Sequence, residues 1–432
     1  MFLNLIPYLY KLHKLNKNQW CSPSELGRLQ FKKLKVLLQH VYYNVDYYRK
    51  LFNQAGIKPE DIKEIQDIVK IPITSRKELQ ALPKEEITAK DVDLNRCLNL
   101  RTSGSTGMPL DIFTSAEEII FRWILYRRMF FENGGKLTDK TMIIASPQNF
   151  RAKKWFQRLG ILKEKCISIF DDIESQLKTV LEFKPDVIGG YTYASALKNM
   201  AIEIKKRNIQ GINPRIIFST AELMTEQDKE FITSVFQSEI IDFYSCNECG
   251  IIAWECKKHS GYHINSDNVI VEFIKEDGTA ANVGEEGEVV ITNLNSYTMP
   301  FIRYKLGDRG VYSEEQCPCG RSFPLLKIIA GRYNDCISLP SGSTISPFRL
   351  TTAIESFSEV GYYQIIQDRE YRIILNIVKK DNISFGTIKK IEKNFRDILG
   401  DDIEIVINEV CEIVKEASGK LKVFKSELNN PE

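Results

Sequence analysis

The sequence predicts an α/β fold: a large layered N-terminal region with parallel sheets and a smaller β-rich part, then a small mobile α+β C-terminal domain. Three observations lead there. Between residues 116 and 244 helical patterns of apolar residues alternate with short apolar runs, the order that builds a parallel sheet with helices packed on it. From Asn268 the pattern turns to alternating strands, and near Asp335 the composition changes again. The domains expected are 1–334, with 1–95 as a helical N-terminal part, and 335–432.

Taken in order, apolar positions recur at helical spacing from Leu26 to Tyr42, beginning at Ser22-Pro23, where Ser caps and Pro fits the first turn. Residues 71–79 read as an extended arm entering a capped helix. Helices are expected at 116–131, 173–181, 194–207 and 225–236, and strands at 141–145, 186–190, 215–219 and 239–244. Later strands are expected at 269–274, 287–292 and 302–304. The last unit offers strands at 371–378 and 403–407 and a helix at 385–399.

Composition narrows the function classes. The 59 basic residues nearly balance 57 acidic ones, so no global field holds a nucleic acid, and a compact anion needs a local site. The apolar start has no basic leader or cleavage site, and no run approaches the ~20 residues of a membrane span. A cytoplasmic protein without a transmembrane segment is expected, its ten cysteines reduced.

One stretch is hard to explain by packing: Arg101-Thr102-Ser103-Gly104-Ser105-Thr106-Gly107-Met108-Pro109. Two glycines permit positive φ, and the hydroxyls with successive backbone N–H groups form a concavity suited to phosphate oxygens. The Gly-Lys-Ser/Thr ending of a Walker loop is missing. Polar groups also follow three expected strands, at Tyr191, at 219–222 and at 244–248, where α/β sheets bind ligands.

These pieces, with Tyr244-Ser245-Cys246-Asn247-Glu248, Arg303-Tyr304-Lys305-Leu306-Gly307-Asp308, Gly331-Arg332-Tyr333-Asn334-Asp335 and Ser418-Gly419-Lys420, resemble the motifs of the phenylacetate–CoA ligase-like family of adenylate-forming acyl-CoA ligases, which includes capsule-cluster relatives. The resemblance covers nearly the whole chain. It implies an AMP-forming enzyme that joins a small-molecule carboxylic acid to ATP as an acyl-adenylate, then passes the acyl group to CoA or another acceptor. It implies phosphate binding by Thr102, Ser103, Gly104, Ser105, Thr106 and Gly107, with Thr102 also catalytic, and Mg²⁺ binding by a catalytic Glu248. Asp308 is implied at the ribose, Arg332 at ribose or phosphate, Glu222 and Tyr244 beside adenine, Asp335 as the hinge and Lys420 as the catalytic lysine. Tyr191, Tyr193 and Phe218 are candidate walls for an aryl acid. A homodimer is admitted, and no nucleic-acid partner is expected. The alternatives are an adenylyltransferase or capsule enzyme with an AMP-linked or non-CoA product, and a non-catalytic nucleotide-binding module.

The cysteines carry a separate expectation. Cys246 and Cys249 form one C-x₂-C pair; Cys256, His259 and His263 follow; Cys317-Pro-Cys319-Gly320 has a knuckle-like turn. The preferred zinc set is Cys256, His263, Cys317 and Cys319, because Cys246 and Cys249 would crowd a magnesium site at Glu248. Four ligands leave no open position, so the expected role is structural.

Overall fold

A computed structural model describes residues 6–101, 110–145, 147, 150, 155–190, 192–222, 224, 226–330, 337–340, 344–345, 350, 353–354, 357, 359–379, 384–400, 402–414 and 422–428. The fold is mixed α/β with a C-terminal α+β region, as expected. The chain divides into two compact units, 1–137 with 241–329, and 138–240 with 330–432. Among the described residues no helix is long and apolar enough to cross a membrane.

The first unit opens with α1 (Ile6–Asn18), α2 (Pro23–Asn44) and α3 (Asp46–Gln54). Ser22 caps α2 through a capping box with Glu25, as Ser22-Pro23 foretold. Leu34, Leu37, Leu38 and Val41 of α2 and Tyr48 and Phe52 of α3 form one apolar cluster with Ile270, Leu294 and Ile302. Two short helices follow, α4 (Arg76–Gln80) and α5 (Lys84–Ile87), and then the hairpin β1 (Leu98–Arg101) and β2 (Asp111–Thr114), which pairs antiparallel with Arg101 opposite Asp111. Residues 102–109, between these strands, lie outside the described residues. Helix α6 (Ala116–Glu132) starts at a Ser115–Glu118 capping box.

In the second unit, β3 (Lys140–Ala145), β4 (Lys163–Ser168), β5 (Val187–Ile188) and β6 (Ile216–Thr220) stand in the order β6-β5-β3-β4, all parallel. They alternate with α7 (Ile173–Phe183), α8 (Ala194–Lys206) and α9 (Glu226–Phe236). Their core joins Met142, Ile144, Leu177, Val180, Leu197, Met200 and Phe236. Tyr193 packs into this core and Phe218 is fully buried.

Strands β7 (Glu239–Cys246), β8 (Gly250–Glu255) and β9 (Tyr262–Ile264) form an antiparallel meander, continued by β13 (Leu325–Ala330), which pairs with β9. Strands β10 (Val269–Ile274), β11 (Glu286–Asn293) and β12 (Tyr304–Ser313) form a second meander. Among strands β1 to β13, β1, β4, β8, β9 and β13 were not anticipated from sequence.

The C-terminal region contains the small pair β14 (Ile337–Ser338) and β15 (Thr344–Ile345). Its main sheet holds β16 (Val360–Gln367), β17 (Ile373–Lys379), β18 (Ile405–Glu409) and β19 (Phe424–Ser426) in the order β18-β17-β16-β19. Helix α10 (Phe385–Leu399) lays Ile391 and Phe395 against Ile365, Leu375 and Ile377 of this sheet.

Candidate active site

The hairpin β7–β8 pairs Cys246 with Gly250, so Asn247, Glu248 and Cys249 form its tip. Glu248 is only 3% exposed. A buried carboxylate is costly unless paired, and two groups reach it. Arg76 Nη2 stands 3.5 Å from Glu248 Oε1, and the Tyr304 hydroxyl donates to the same oxygen at 3.4 Å. Both contacts fall on Oε1, which leaves Oε2 without a hydrogen bond among the described residues. Such an oxygen suits a hard divalent cation that also takes phosphate and water oxygens.

Arg76 arrives there by backbone pairing. Thr74 donates its N–H to Arg303 O at 2.8 Å and accepts from Lys305 N–H at 2.9 Å, adding the arm 71–75 alongside β12. Ser75 then caps α4, and Arg76 occupies its first position. A cation at a helix N-terminus opposes the macrodipole, and that mismatch is the sequence signal that could have singled out Arg76. In the sequence alone, Arg76 is part of a helix start and Tyr304 part of a motif, with nothing that joins them to Glu248.

Close by, the Tyr244 hydroxyl on β7 donates to Asp308 Oδ2 on β12 at 2.5 Å. Burial, reinforced by the Asp308 carboxylate, pushes the Tyr244 phenol well above its usual range, so it stays a donor. Tyr304 is likewise raised, first by burial and then by Glu248. Tyr244, Glu248, Tyr304 and Asp308 therefore share one neighbourhood, which also contains the Cys246 and Cys249 thiols, 3.5 Å apart.

Glu222 follows β6 in the second unit, where its charge helps to raise the Tyr362 phenol; burial is the larger cause there, and Asp228 adds to it. Thr102, Ser103, Gly104, Ser105, Thr106, Gly107, Tyr191, Arg332, Asp335 and Lys420 lie outside the described residues.

A second cluster gathers Cys256, His263, Cys317 and Cys319, the set preferred from sequence, with all four ligand atoms within 4.8 Å of one another. Cys256 and Cys317 Sγ are 3.6 Å apart, and Cys319 Sγ is 3.3 Å from His263 Nε2. His263 Nδ1 points to Phe323 O at 3.3 Å, which fixes the ring and turns Nε2 toward the sulfurs. Burial holds His263 neutral, down to about 4, against the opposing Phe323 carbonyl. Burial pushes Cys256 up to about 12, whereas hydrogen bonds from Arg321, working against burial, hold Cys319 below the usual thiol range. His259 instead faces Glu255 at 3.4 Å.

Residues 337–427 match the CapK C-terminal domain family. Protein CapK of Staphylococcus aureus is 24% identical over 411 residues, covering 92% of this chain and 88% of that protein. The phenylacetate-coenzyme A ligase of Escherichia coli K12 is 26% identical over 376 residues, covering 82% of each. The chain is similar to the phenylacetate–CoA ligases and to CapK over most of its length. Its fold is also that of 2-hydroxyisobutyryl-CoA ligase, solved in the postadenylation state with 2-HIB-AMP: the TM-score is 0.80 at 17% identity, over 94% of this chain and 90% of that one.

Proposed function

We propose that this phenylacetate–CoA ligase-like chain is an AMP-forming acid–thiol ligase. The carrying observation is the buried Glu248, with one oxygen held by Arg76 and Tyr304 and the other without a hydrogen bond among the described residues, beside the Tyr244–Asp308 pair. In the first half-reaction a substrate carboxylate oxygen attacks the α-phosphorus of ATP and pyrophosphate leaves. In the second, a thiol attacks the acyl carbonyl and AMP leaves. The two reactants of the first step are both anions, so aimed positive charge is the main requirement of the site. Magnesium, when bound with ATP, neutralises phosphate charge. Glu248 would hold it, and Arg76, 3.5 Å from Glu248 Oε1, orients the carboxylate. Asp308 accepts hydrogen bonds from the ribose hydroxyls, Tyr244 fixes Asp308, and Glu222 with Tyr244 borders the adenine. Residues 102–107 bind the phosphates, Arg332 reaches ribose or phosphate, and Lys420 places a point charge between carboxylate and α-phosphate. The body 1–334 binds nucleotide and acid, and 335–432 turns about Asp335 between the two steps. The working compartment on this reading is the cytoplasm, and a homodimer is compatible with it.

The Cys256, His263, Cys317 and Cys319 cluster holds a structural zinc ion. Four soft or borderline donors converge there, and a proton on His263 Nδ1 facing the Phe323 carbonyl would leave Nε2 free to bind the metal.

A second reading is an enzyme whose final acceptor is not CoA, including an adenylyltransferase that keeps AMP on its product; the chain matches Protein CapK over 92% of its length as well as the phenylacetate-coenzyme A ligases, so the similarity does not single out CoA. The test is incubation with ATP, Mg²⁺ and a carboxylic-acid library that includes phenylacetate, with and without CoA, read by product mass. AMP release with an acyl-CoA mass supports the ligase. An AMP-linked product selects the second reading, and ATP binding without turnover leaves a nucleotide-binding module.

A further inference from the structure

The tip that carries Glu248 projects backbone carbonyls that the hairpin itself does not satisfy, and three side chains from elsewhere grip them. Arg122 on α6 donates from Nη1 to Asn247 O at 2.7 Å and from Nη2 to Glu248 O at 3.3 Å. Asn293, at the end of β11, donates to Glu248 O at 3.1 Å, and Asn268 donates to Cys249 O at 3.4 Å. The Arg122 stem lies flat against the strand that leaves the tip. Gly250 there has φ +75°, and a Cβ on it would come within 3.2 Å of Arg122 Cγ. Glycine thus supplies both the left-handed turn and the clearance for the helix.

One helical turn before Arg122, Glu118 on the same face of α6 accepts the N–H groups of Tyr297 at 2.6 Å and Thr298 at 2.9 Å. The acid takes amides from one loop and the base takes carbonyls from the other, four residues apart. Between them lies a cavity of about 10 Å³, where Phe121 and Cys249 join the polar side chains of Glu118, Arg122, Asn268 and Asn293 in the lining. That space holds no more than a single water, so the tip has little room to settle elsewhere.

We infer that Arg122 is a positioning residue for Glu248, setting the direction of its carboxylate by clamping the Asn247 and Glu248 carbonyls; the inference rests on the proposed magnesium role of Glu248. A guanidinium presents two fixed donors to successive carbonyls, and the bonds are charge-assisted. A side chain that orients a metal ligand without touching the metal is typically worth about 10–100-fold in metal affinity.

The experiment measures ATP binding by calorimetry across a Mg²⁺ series, together with the melting temperature of the nucleotide-free protein, for wild type, Arg122→Ala, Arg122→Lys, Asn293→Ala and Glu248→Gln. The expected result is a half-saturating Mg²⁺ concentration raised about 10–100-fold in Arg122→Ala and by a similar factor in Glu248→Gln. Asn293→Ala should give a smaller rise, Arg122→Lys should recover part of the loss, and the nucleotide-free melting temperature should stay near that of wild type. An unchanged Mg²⁺ requirement in both Arg122→Ala and Asn293→Ala, with Glu248→Gln impaired, overturns the positioning role alone. A melting temperature that drops in Arg122→Ala without recovery in Arg122→Lys also overturns it, because the residue is then only structural. An unchanged Mg²⁺ requirement in Glu248→Gln overturns the magnesium role of that residue and the inference with it.

Discussion

Arg128 and Asp267, both fully buried, show how much of the first unit rests on single side chains. Arg128 donates to Asp267 at 2.7 and 3.0 Å, to Asn265 at 2.6 Å and to Leu15 O at 3.0 Å, while Asn18 reaches Asp267 at 3.0 Å. The network ties α1 to the stretch after β9. Removing one partner strands the other charge away from water, so Arg128→Ala should cost about 3–5 kcal/mol in urea unfolding. A loss under 1 kcal/mol would mean that water reaches Asp267. Nothing in the sequence pointed to this pair: an arginine among helical apolar residues reads as a solvated charge, and its partner lies 139 positions away. Motif order singles out Glu248 and Asp308 in the sequence, and the structure gives them Arg76, Tyr304 and Tyr244 as partners. Motif order does not single out Arg76, because what makes it a site residue is the pairing of Thr74 with the strand start at Arg303–Lys305.

At the level of elements, the knuckle was readable because Cys-Pro-Cys-Gly constrains its own turn, and Gly320 indeed has φ +83°. Purified protein should contain one zinc per chain by elemental analysis. Cys317→Ser and Cys319→Ser should lose it and melt earlier, whereas Cys246→Ser should retain it; zinc lost equally in all three would reject the assignment of ligands. Acidification should release the metal, since its ligands must be deprotonated to bind. The missed strands have physical reasons. Strand β4 reads Lys-Glu-Lys-Cys-Ile-Ser because it lies at the sheet edge, where lysines discourage further pairing and remove the apolar signature. Strands β8 and β9 sit among cysteines and lysines that suggested a metal loop, yet the same residues pair as strands, with Trp254 opposite His263.

At the scale of the whole molecule, alternating helices and strands were enough to forecast the α/β class and the α+β region beyond 335. The division into 1–137 with 241–329 and 138–240 with 330–432 was not visible in the sequence, because it depends on which distant segments return to one another. The proposed two-step cycle puts its demand on Asp335. A proline there fixes φ near −65°, so Asp335→Pro should keep carboxylate-dependent pyrophosphate exchange while thioester formation stops. Loss of both activities in parallel would argue against rotation about that residue. All these expectations presuppose that the pocket around Glu248 lets an acid attack ATP. That step is measured most directly by isotope exchange between pyrophosphate and ATP in the presence of a carboxylic acid. Exchange should require both the acid and Mg²⁺ and should fall by about 10²-fold or more in Glu248→Gln. Exchange that proceeds as fast in Glu248→Gln as in wild type would contradict the role given to Glu248.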